Sequence, residues 1–138
     1  MSVQWCQFSN ACLTTSSYDL ANQLSSIAQS FGGSSGPQLA LGYDAGNRLT
    51  SESRTIGGSG AQVNTTFAYD LANRLTTIAH GSAVYNNIPP GWIVTPLATY
   101  AYGYDNANRA TSEQNAEGTV SYTYDHNCPA ISRTRSIG

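Results

Sequence analysis

The sequence predicts an all-β protein, an antiparallel meander of about ten strands built from repeated hairpins. Three observations support this class. A short motif recurs along the chain, aromatic residues alternate with other residues before each copy, and no apolar pattern has the helical period. We expect a curved sheet, or a partial barrel or spiral, formed by a single domain over residues 1–138.

The recurring motif is Tyr-Asp-x-x-Asn-Arg-Leu-Thr, with four copies and one truncated copy. Gln23 replaces the arginine in the first copy, and Ala110 replaces the leucine in the fourth. The tyrosines lie 25, 26, 35 and 20 residues apart, so the unit repeats along most of the chain. The motif positions are Tyr18, Asp19, Asn22, Tyr43, Asp44, Asn47, Arg48, Leu49, Tyr69, Asp70, Asn73, Arg74, Leu75, Tyr104, Asp105, Asn108, Arg109, Tyr124 and Asp125.

The spacing within one copy predicts a tight hairpin. Aromatic residues two apart before the loop share one face of a strand. A three-residue hairpin loop uses a type I turn followed by one left-handed residue, and asparagine, here Asn73, tolerates that conformation next best after glycine. Counting outward, Asp70 faces Arg74 and Tyr69 faces Leu75, which gives an ion pair on one face and an apolar pair on the other. The aspartate is also expected to accept hydrogen bonds from the loop amides.

These residues resemble the YD repeats of the Rhs family, which also occur in toxin-complex shell proteins and in teneurins. The match covers residues 18–125, where the motif is followed by x-Tyr-x-Tyr-Asp; the family usually carries glycine where this chain carries asparagine. The resemblance implies hairpins laid side by side in a spiralling sheet, which in large members closes into a shell around a C-terminal toxin. Because this chain is too short for a shell and shows no self-cleavage segment, we expect neither encapsulation nor autoproteolysis.

Composition narrows the function classes. The six basic residues are all arginine and the net charge is −2, which argues against nucleic-acid binding by a basic surface. Neutral polar residues (Ser, Thr, Asn and Gln) number 49, which favours a secreted or cell-surface protein. No signal peptide or membrane span is visible. Either a leader has been removed, the chain is a fragment, or export uses another route.

The three cysteines are Cys6, Cys12 and Cys128, an odd number that leaves one unpaired or paired between chains. Cys6 and Cys12 flank a predicted turn and are candidates for a hairpin disulfide in an oxidising compartment. Buried thiols are the alternative. Cys128 is a candidate for a covalent link to Cys6 or Cys12 of another copy.

The sequence shows no catalytic or metal-binding constellation. His126 lies two residues from Cys128, but in a predicted tail with no orienting group. The histidines and cysteines lack metal-ligand spacing. The repeated aspartates could suggest calcium ligands, yet each has an arginine or amide partner in the predicted hairpin. We therefore expect no enzyme activity and no cofactor.

Two segments depart from the regular unit. Residues 31–37 are predicted to form a flexible turn. The third connection, from Gly81 to Pro96, is predicted to be a long loop, and insertions in repeat arrays often carry specific contacts. If the loop does not bind a partner, we expect it to plug the core or to cover a sheet edge. The candidate partner residues within it are Ile88, Pro89, Pro90 and Trp92.

The expected function is structural. The predicted array has an edge near Val3–Thr15 and another near Val120–Asp125, and open edges must be covered or paired. We expect a non-enzymatic repeat module that pairs with other copies through these edges in an extracellular filament or shell wall. The alternative is a carbohydrate- or protein-binding module at the cell surface, since nine tyrosines and two tryptophans could stack on sugars.

Overall fold

The computed structural model describes residues 2–3, 12–57, 61–87, 90–125 and 128–137. All regular structure in these ranges is β, in eleven strands. The strands are β1 (Ser2–Val3), β2 (Cys12–Tyr18), β3 (Leu24–Phe31), β4 (Ser34–Tyr43), β5 (Leu49–Thr55), β6 (Ala61–Tyr69), β7 (Leu75–Asn87), β8 (Pro90–Tyr104), β9 (Ala110–Asn115), β10 (Gly118–Asp125) and β11 (Cys128–Ser136).

Strand order in the sheet follows chain order, from β1 to β11. The registers of β1–β5 and of β8–β11 are antiparallel throughout. The sheet is not closed into a barrel, since β1 and β11 stand at opposite ends of the order. The predicted all-β antiparallel meander is confirmed.

The chain divides into two compact units. The first comprises Met1–Thr65 and Gly81–Thr95, and it carries the first two motif loops. The second comprises Thr66–His80 and Pro96–Gly138, and it carries the third and fourth loops with β9 to β11. That residues 1–138 form one domain stays a prediction.

The turn between β3 and β4 is shorter than predicted. Gly32 and Gly33 both have positive φ, 56° and 83°, and Phe31 pairs with Ser34. Two consecutive positive φ values define a tight hairpin turn whose twist matches the flanking strands. Residues 34–37, predicted to be part of a flexible turn, therefore belong to β4.

The third connection is mostly strand, which corrects the predicted long loop. β7 continues to Asn87 and β8 begins at Pro90, because the segment is rich in residues such as valine, tyrosine and isoleucine that suit a pleated sheet. Of the four candidate partner residues, Pro90 and Trp92 lie on β8. Ile88 and Pro89 lie outside the described residues.

The predicted C-terminal tail is also a strand. β11 pairs with β10 from Thr119 opposite Ser136 to Asp125 opposite Cys128. The prediction that Val120–Asp125 forms an open edge was therefore wrong. The prediction failed because it did not include β11 as a partner of β10. In β11 short polar residues alternate with arginine, and few apolar residues indicate a strand.

Side chains in this sheet are seldom fully buried. Among the described residues, the buried ones are Cys12, Gly36, Thr65 and Ala83. No large side chain among them is fully buried. Large apolar side chains are exposed in both units, among them Leu13 at 46% and Leu97 at 58%. The described strands therefore leave apolar surface in water.

Candidate functional site

The tight loops between the motif tyrosine and the following strand share one backbone geometry. In the second copy, the Asp44 N–H donates to the Arg48 carbonyl and the Asn47 N–H donates to the Asp44 carbonyl, both over 3.0 Å. The other three loops repeat both bonds. The third loop residue has positive φ in every copy, which confirms the left-handed prediction: Asn22 at 61°, Asn47 at 63°, Asn73 at 63° and Asn108 at 62°.

Three of the four loop aspartates use their two oxygens differently. Oδ1 of Asp44 accepts from the Gly46 N–H at 2.8 Å and the Arg48 N–H at 3.0 Å, so it fixes the loop backbone. Oδ2 accepts from Arg48 Nε at 2.7 Å and forms the ion pair. Asp70 and Asp105 make the same contacts in their loops, which confirms the predicted ion pairs and Asx-type bonds.

Hydrogen bonding keeps these carboxylates ionised. The Arg48 side chain, followed by its backbone N–H, holds the pKa of Asp44 below its usual value. For Asp70 and Asp105 the largest cause of the lowered pKa is the backbone N–H of the arginine four residues on. Partial burial opposes these shifts without reversing them. The loop aspartates therefore act as anchors rather than as proton donors at neutral pH.

The motif arginine also reaches the next repeat. Arg74 Nη1 donates to the Asp105 carbonyl at 2.8 Å and to Asn108 Oδ1 at 3.1 Å. Its guanidinium lies over the Tyr104 ring, 4.9 Å from the centroid, and Arg109 lies 4.6 Å from the centroid of the Tyr124 ring. One arginine thus closes its own loop and holds the loop and tyrosine of the repeat that follows.

The motif tyrosine makes the reciprocal contact to the previous repeat. The Tyr104 hydroxyl donates to the Leu75 carbonyl at 2.8 Å, and the Tyr43 hydroxyl donates to the Leu24 carbonyl at 3.0 Å. The Tyr124 hydroxyl bonds the Ala110 carbonyl at 2.5 Å. A ring that is half-buried and a hydroxyl with a fixed partner explain why this position is tyrosine rather than phenylalanine.

A β-bulge follows the first, second and fourth motif loops, and the sequence pattern did not predict it. Tyr43 pairs with Leu49 but Gly42 pairs with Ser51, so Thr50 is an extra residue on β5. The same shift occurs between Tyr18 and the residue before it, and between Tyr104 and the residue before it. The Thr50 hydroxyl donates to the Gly42 carbonyl at 3.2 Å. A glycine precedes the tyrosine in the second and fourth copies, where a Cβ on Gly42 would meet the Ser51 hydroxyl, but Ser17 stands there in the first copy. No single residue type therefore signals the bulge.

The cysteine predictions stay open. Cys12 is buried at the start of β2, 9% exposed. Cys6 lies outside the described residues, and Cys128 lies at the start of β11, opposite Asp125. The predicted disulfides therefore remain predictions, and so does the partner role of Pro90 and Trp92.

Candidate chemistry beyond the repeats is sparse in the part of the chain that is described. Within it, no three His, Cys, Asp or Glu side chains converge as metal ligands. His80 packs edge-on against the Tyr100 ring, with centroids 6.1 Å apart. No helix among the described residues has the length and apolar character to cross a membrane.

Within each unit the motif residues therefore form one kind of structural site, a pair of neighbouring tight loops joined by their side chains. No family model matches the chain, and no curated protein matches it. Fifteen solved chains match it. One is the crystal structure of a protein of unknown function from Bacteroides fragilis, with 12% identity and a TM-score of 0.28 over 92% of this chain and 93% of that one. At that TM-score the similarity carries no argument about fold or function.

Proposed function

We propose that this chain is a non-enzymatic structural repeat module that assembles with other copies into an extracellular filament or shell wall. The observation that carries the proposal is exposure. Among the described residues no large side chain is fully buried, and Leu13, Ile93 and Leu97 are 46%, 56% and 58% exposed. Association with further sheet would remove part of this apolar surface from water.

The contacts between repeats support the same proposal. Arg74 holds the Tyr104 ring, and the Tyr104 hydroxyl holds the Leu75 carbonyl, so each hairpin is stabilised by its neighbours. In such arrays stability is approximately a sum of unit and interface contributions. The resemblance to YD repeats is in keeping with this organisation, and we retain it as part of the proposal.

The two ends of the strand order differ in charge. β1 pairs with β2 only at Thr14 and Thr15 among the described residues, and β2 carries no charged side chain. β11 carries Arg133 and Arg135, and Arg135 pairs with Glu117 at 2.7 Å. The positive charge of Arg133, repeated on each copy, opposes pairing of β11 with a second β11. A contact between the β11 edge of one copy and the β2 edge of the next is therefore favoured, and such a heterologous contact gives a ring or a filament.

The alternative, a carbohydrate- or protein-binding module, has less support. A tyrosine that stacks on a sugar must offer a free ring face. The rings of Tyr104 and Tyr124 already contact arginines, and the hydroxyls of Tyr43, Tyr104 and Tyr124 already bond carbonyls. Tyr85, 45% exposed on β7, keeps more of its ring accessible.

Electron microscopy of the purified chain, with and without reductant, tests the proposal. We expect elongated or closed assemblies at micromolar concentration. Leu13→Lys places a charge on β2 at a side chain that is 46% exposed, and it should shorten or abolish them. Leu71→Lys is the matched control at a fully exposed loop tip, where assemblies should persist. Uniform monomers for the unmodified chain would contradict the proposal and favour the binding module.

A further inference from the structure

The groove between the first and second motif loops differs from the corresponding position in later repeats. Later in the chain, Arg74 and Arg109 each bond their own loop aspartate at 2.7 Å and lie over the next tyrosine ring. The first copy carries Gln23 at that position. A neutral amide supplies neither the ion pair nor the cation over the ring.

The groups that would receive a guanidinium are nevertheless in place. Oδ1 of Asp19 accepts from the Ala21 N–H and the Gln23 N–H, both at 2.9 Å, as in the other loops. Within the described residues, the Asp19 carboxylate has no ion-pair partner and no guanidinium lies over the Tyr43 ring. The Tyr43 hydroxyl still bonds the Leu24 carbonyl, so the ring is held in the position that later rings occupy.

The space is available as well. A groove of about 620 Å³ is lined by the two loops, including Asp19, Gln23, Tyr43 and Asn47. Gln23 Nε2 reaches the Asn47 carbonyl at 3.5 Å, a long hydrogen bond. In the later repeat Arg74 donates instead to the Asp105 carbonyl at 2.8 Å and to Asn108 Oδ1 at 3.1 Å, and the corresponding residues of the second loop are Asp44 and Asn47. The Asp44 carbonyl is therefore the acceptor that a guanidinium in this groove would meet.

We propose that this groove is a binding subsite for a guanidinium group supplied from outside the repeat. The incoming group pairs with Asp19 Oδ2, stacks on the Tyr43 ring and donates to the Asp44 carbonyl. These are the three contacts that Arg74 makes within the chain to Asp70, Tyr104 and the following loop. A planar guanidinium satisfies all three at once, whereas a compact, strongly hydrated ammonium does not. The subsite does not depend on the proposed assembly function.

Titration of the isotope-labelled chain with ethylguanidinium, followed by NMR, tests the subsite. We expect saturable shifts at the amides of Ala21, Gln23 and Gly46, with a dissociation constant in the millimolar range because exposed ion pairs and cation–π contacts are weak. Ethylammonium should bind at least about threefold more weakly. Shifts that stay linear with concentration, or that spread evenly over the sheet, would overturn the proposal.

Three variants make the test specific. Gln23→Arg supplies the guanidinium within the chain, and it should abolish the saturable shifts. Asp19→Asn keeps the Oδ1 acceptor for the loop but removes the charge, and affinity should fall by about tenfold or more. Gln38→Arg adds the same charge on β4 outside this groove, and binding should persist. Equal binding by wild type and Gln23→Arg would refute the assignment.

A further arm identifies the source of the guanidinium. If a second copy supplies it, the same amides shift with protein concentration when no ligand is added, and Arg133→Gln on β11 removes that shift. If the natural ligand is a small alkylguanidinium compound, those amides are independent of protein concentration and respond to ethylguanidinium alone. Both results support the subsite and differ only in what fills it.

Discussion

The asparagine at the third loop position is the residue on which each hairpin depends most directly. All four copies have φ between 61° and 63°, a conformation that costs most side chains roughly 1–2 kcal/mol. Glycine adopts it without that cost. The asparagine is therefore selected for backbone conformation, and the loops should respond to substitutions there in a characteristic way.

Asn47 offers the cleanest test of this conformation, because the contact recorded for it uses the backbone carbonyl and survives substitution. Asn47→Gly should be neutral or stabilising. Asn47→Val should lower the free energy of unfolding by roughly 1–2 kcal/mol through strain at positive φ. Ala45→Val, in the same loop at an exposed position without positive φ, is the control and should change stability by less than about 0.5 kcal/mol. Chemical denaturation measures all three; equal effects of valine at both positions would contradict the loop geometry.

The tyrosine hydroxyl is the second residue-scale feature that can be tested. Tyr104→Phe removes the bond to the Leu75 carbonyl and should lower the free energy of unfolding by about 0.5–1.5 kcal/mol. Tyr100→Phe on the same strand is the matched control, since no hydroxyl bond is recorded for Tyr100, and it should be nearly neutral. If the two variants denature at the same midpoint, the bond between repeats does not stabilise the array.

At the level of strands and loops, the parts that could be predicted were those set by neighbouring residues. The ion pair of Asp70 with Arg74 and the left-handed Asn73 follow from spacing within one loop. The contact of Arg74 with Tyr104 joins residues from successive repeats, and no local pattern indicates it. The bulge at Thr50 depends on which residue of β4 lies opposite, which is a property of register rather than of composition.

The elements that were predicted wrongly share a physical cause. The glycine, asparagine and proline residues between positions 81 and 96 predict a loop, and the polar residues of 128–136 predict a tail, yet both segments are mostly strand. Pairing with a neighbouring strand satisfies the backbone hydrogen-bonding groups of such segments, and the local sequence does not reveal that neighbour. The sequence therefore predicts the repeated hairpins well and their extensions poorly.

Gly118 should be essential to the docking of β11 on β10. Its φ is 134°, and a Cβ there would meet the Ser136 carbonyl. Because that carbonyl is a backbone group, it cannot rotate away as a flexible side chain could. Gly118→Ala should lower the free energy of unfolding by about 1–3 kcal/mol. Gly91→Ala is the control, because nothing lies within 4 Å of the added carbon. Hydrogen exchange would locate the effect: amides of β11 should lose protection in the first variant only.

The loop ion pairs predict how stability depends on pH. The pKa values of Asp44, Asp70 and Asp105 are lowered in the folded chain, and the unfolded value is about 3.9. Their contribution is therefore fully present above about pH 4 and is lost as pH falls through the folded pKa values. The triple Asp→Asn variant keeps the loop acceptors and should show a flatter acid dependence. Denaturation series at several acidic pH values measure this, and parallel curves for both proteins would exclude the ion pairs as the cause.

Across the whole molecule, the strands of both units bury few of the described side chains. Among the described residues, Leu20 and Leu71 are fully exposed at loop tips, and Ile56 and Ile137 are also exposed. Hydrophobic burial is the largest favourable contribution to folding, so a sheet that buries so few side chains must depend on contacts between repeats. Association with other copies would add the missing burial, which links the exposed surface to the proposed assembly.

Sedimentation equilibrium of the full chain over a range of micromolar concentrations tests this account most directly. We predict masses that exceed 14.6 kDa and rise with concentration, with Leu13→Lys shifting the distribution towards the monomer. A single species of 14.6 kDa at every concentration, unfolding cooperatively and independently of concentration, would contradict it. That result would mean that the repeats stabilise the isolated sheet without a partner.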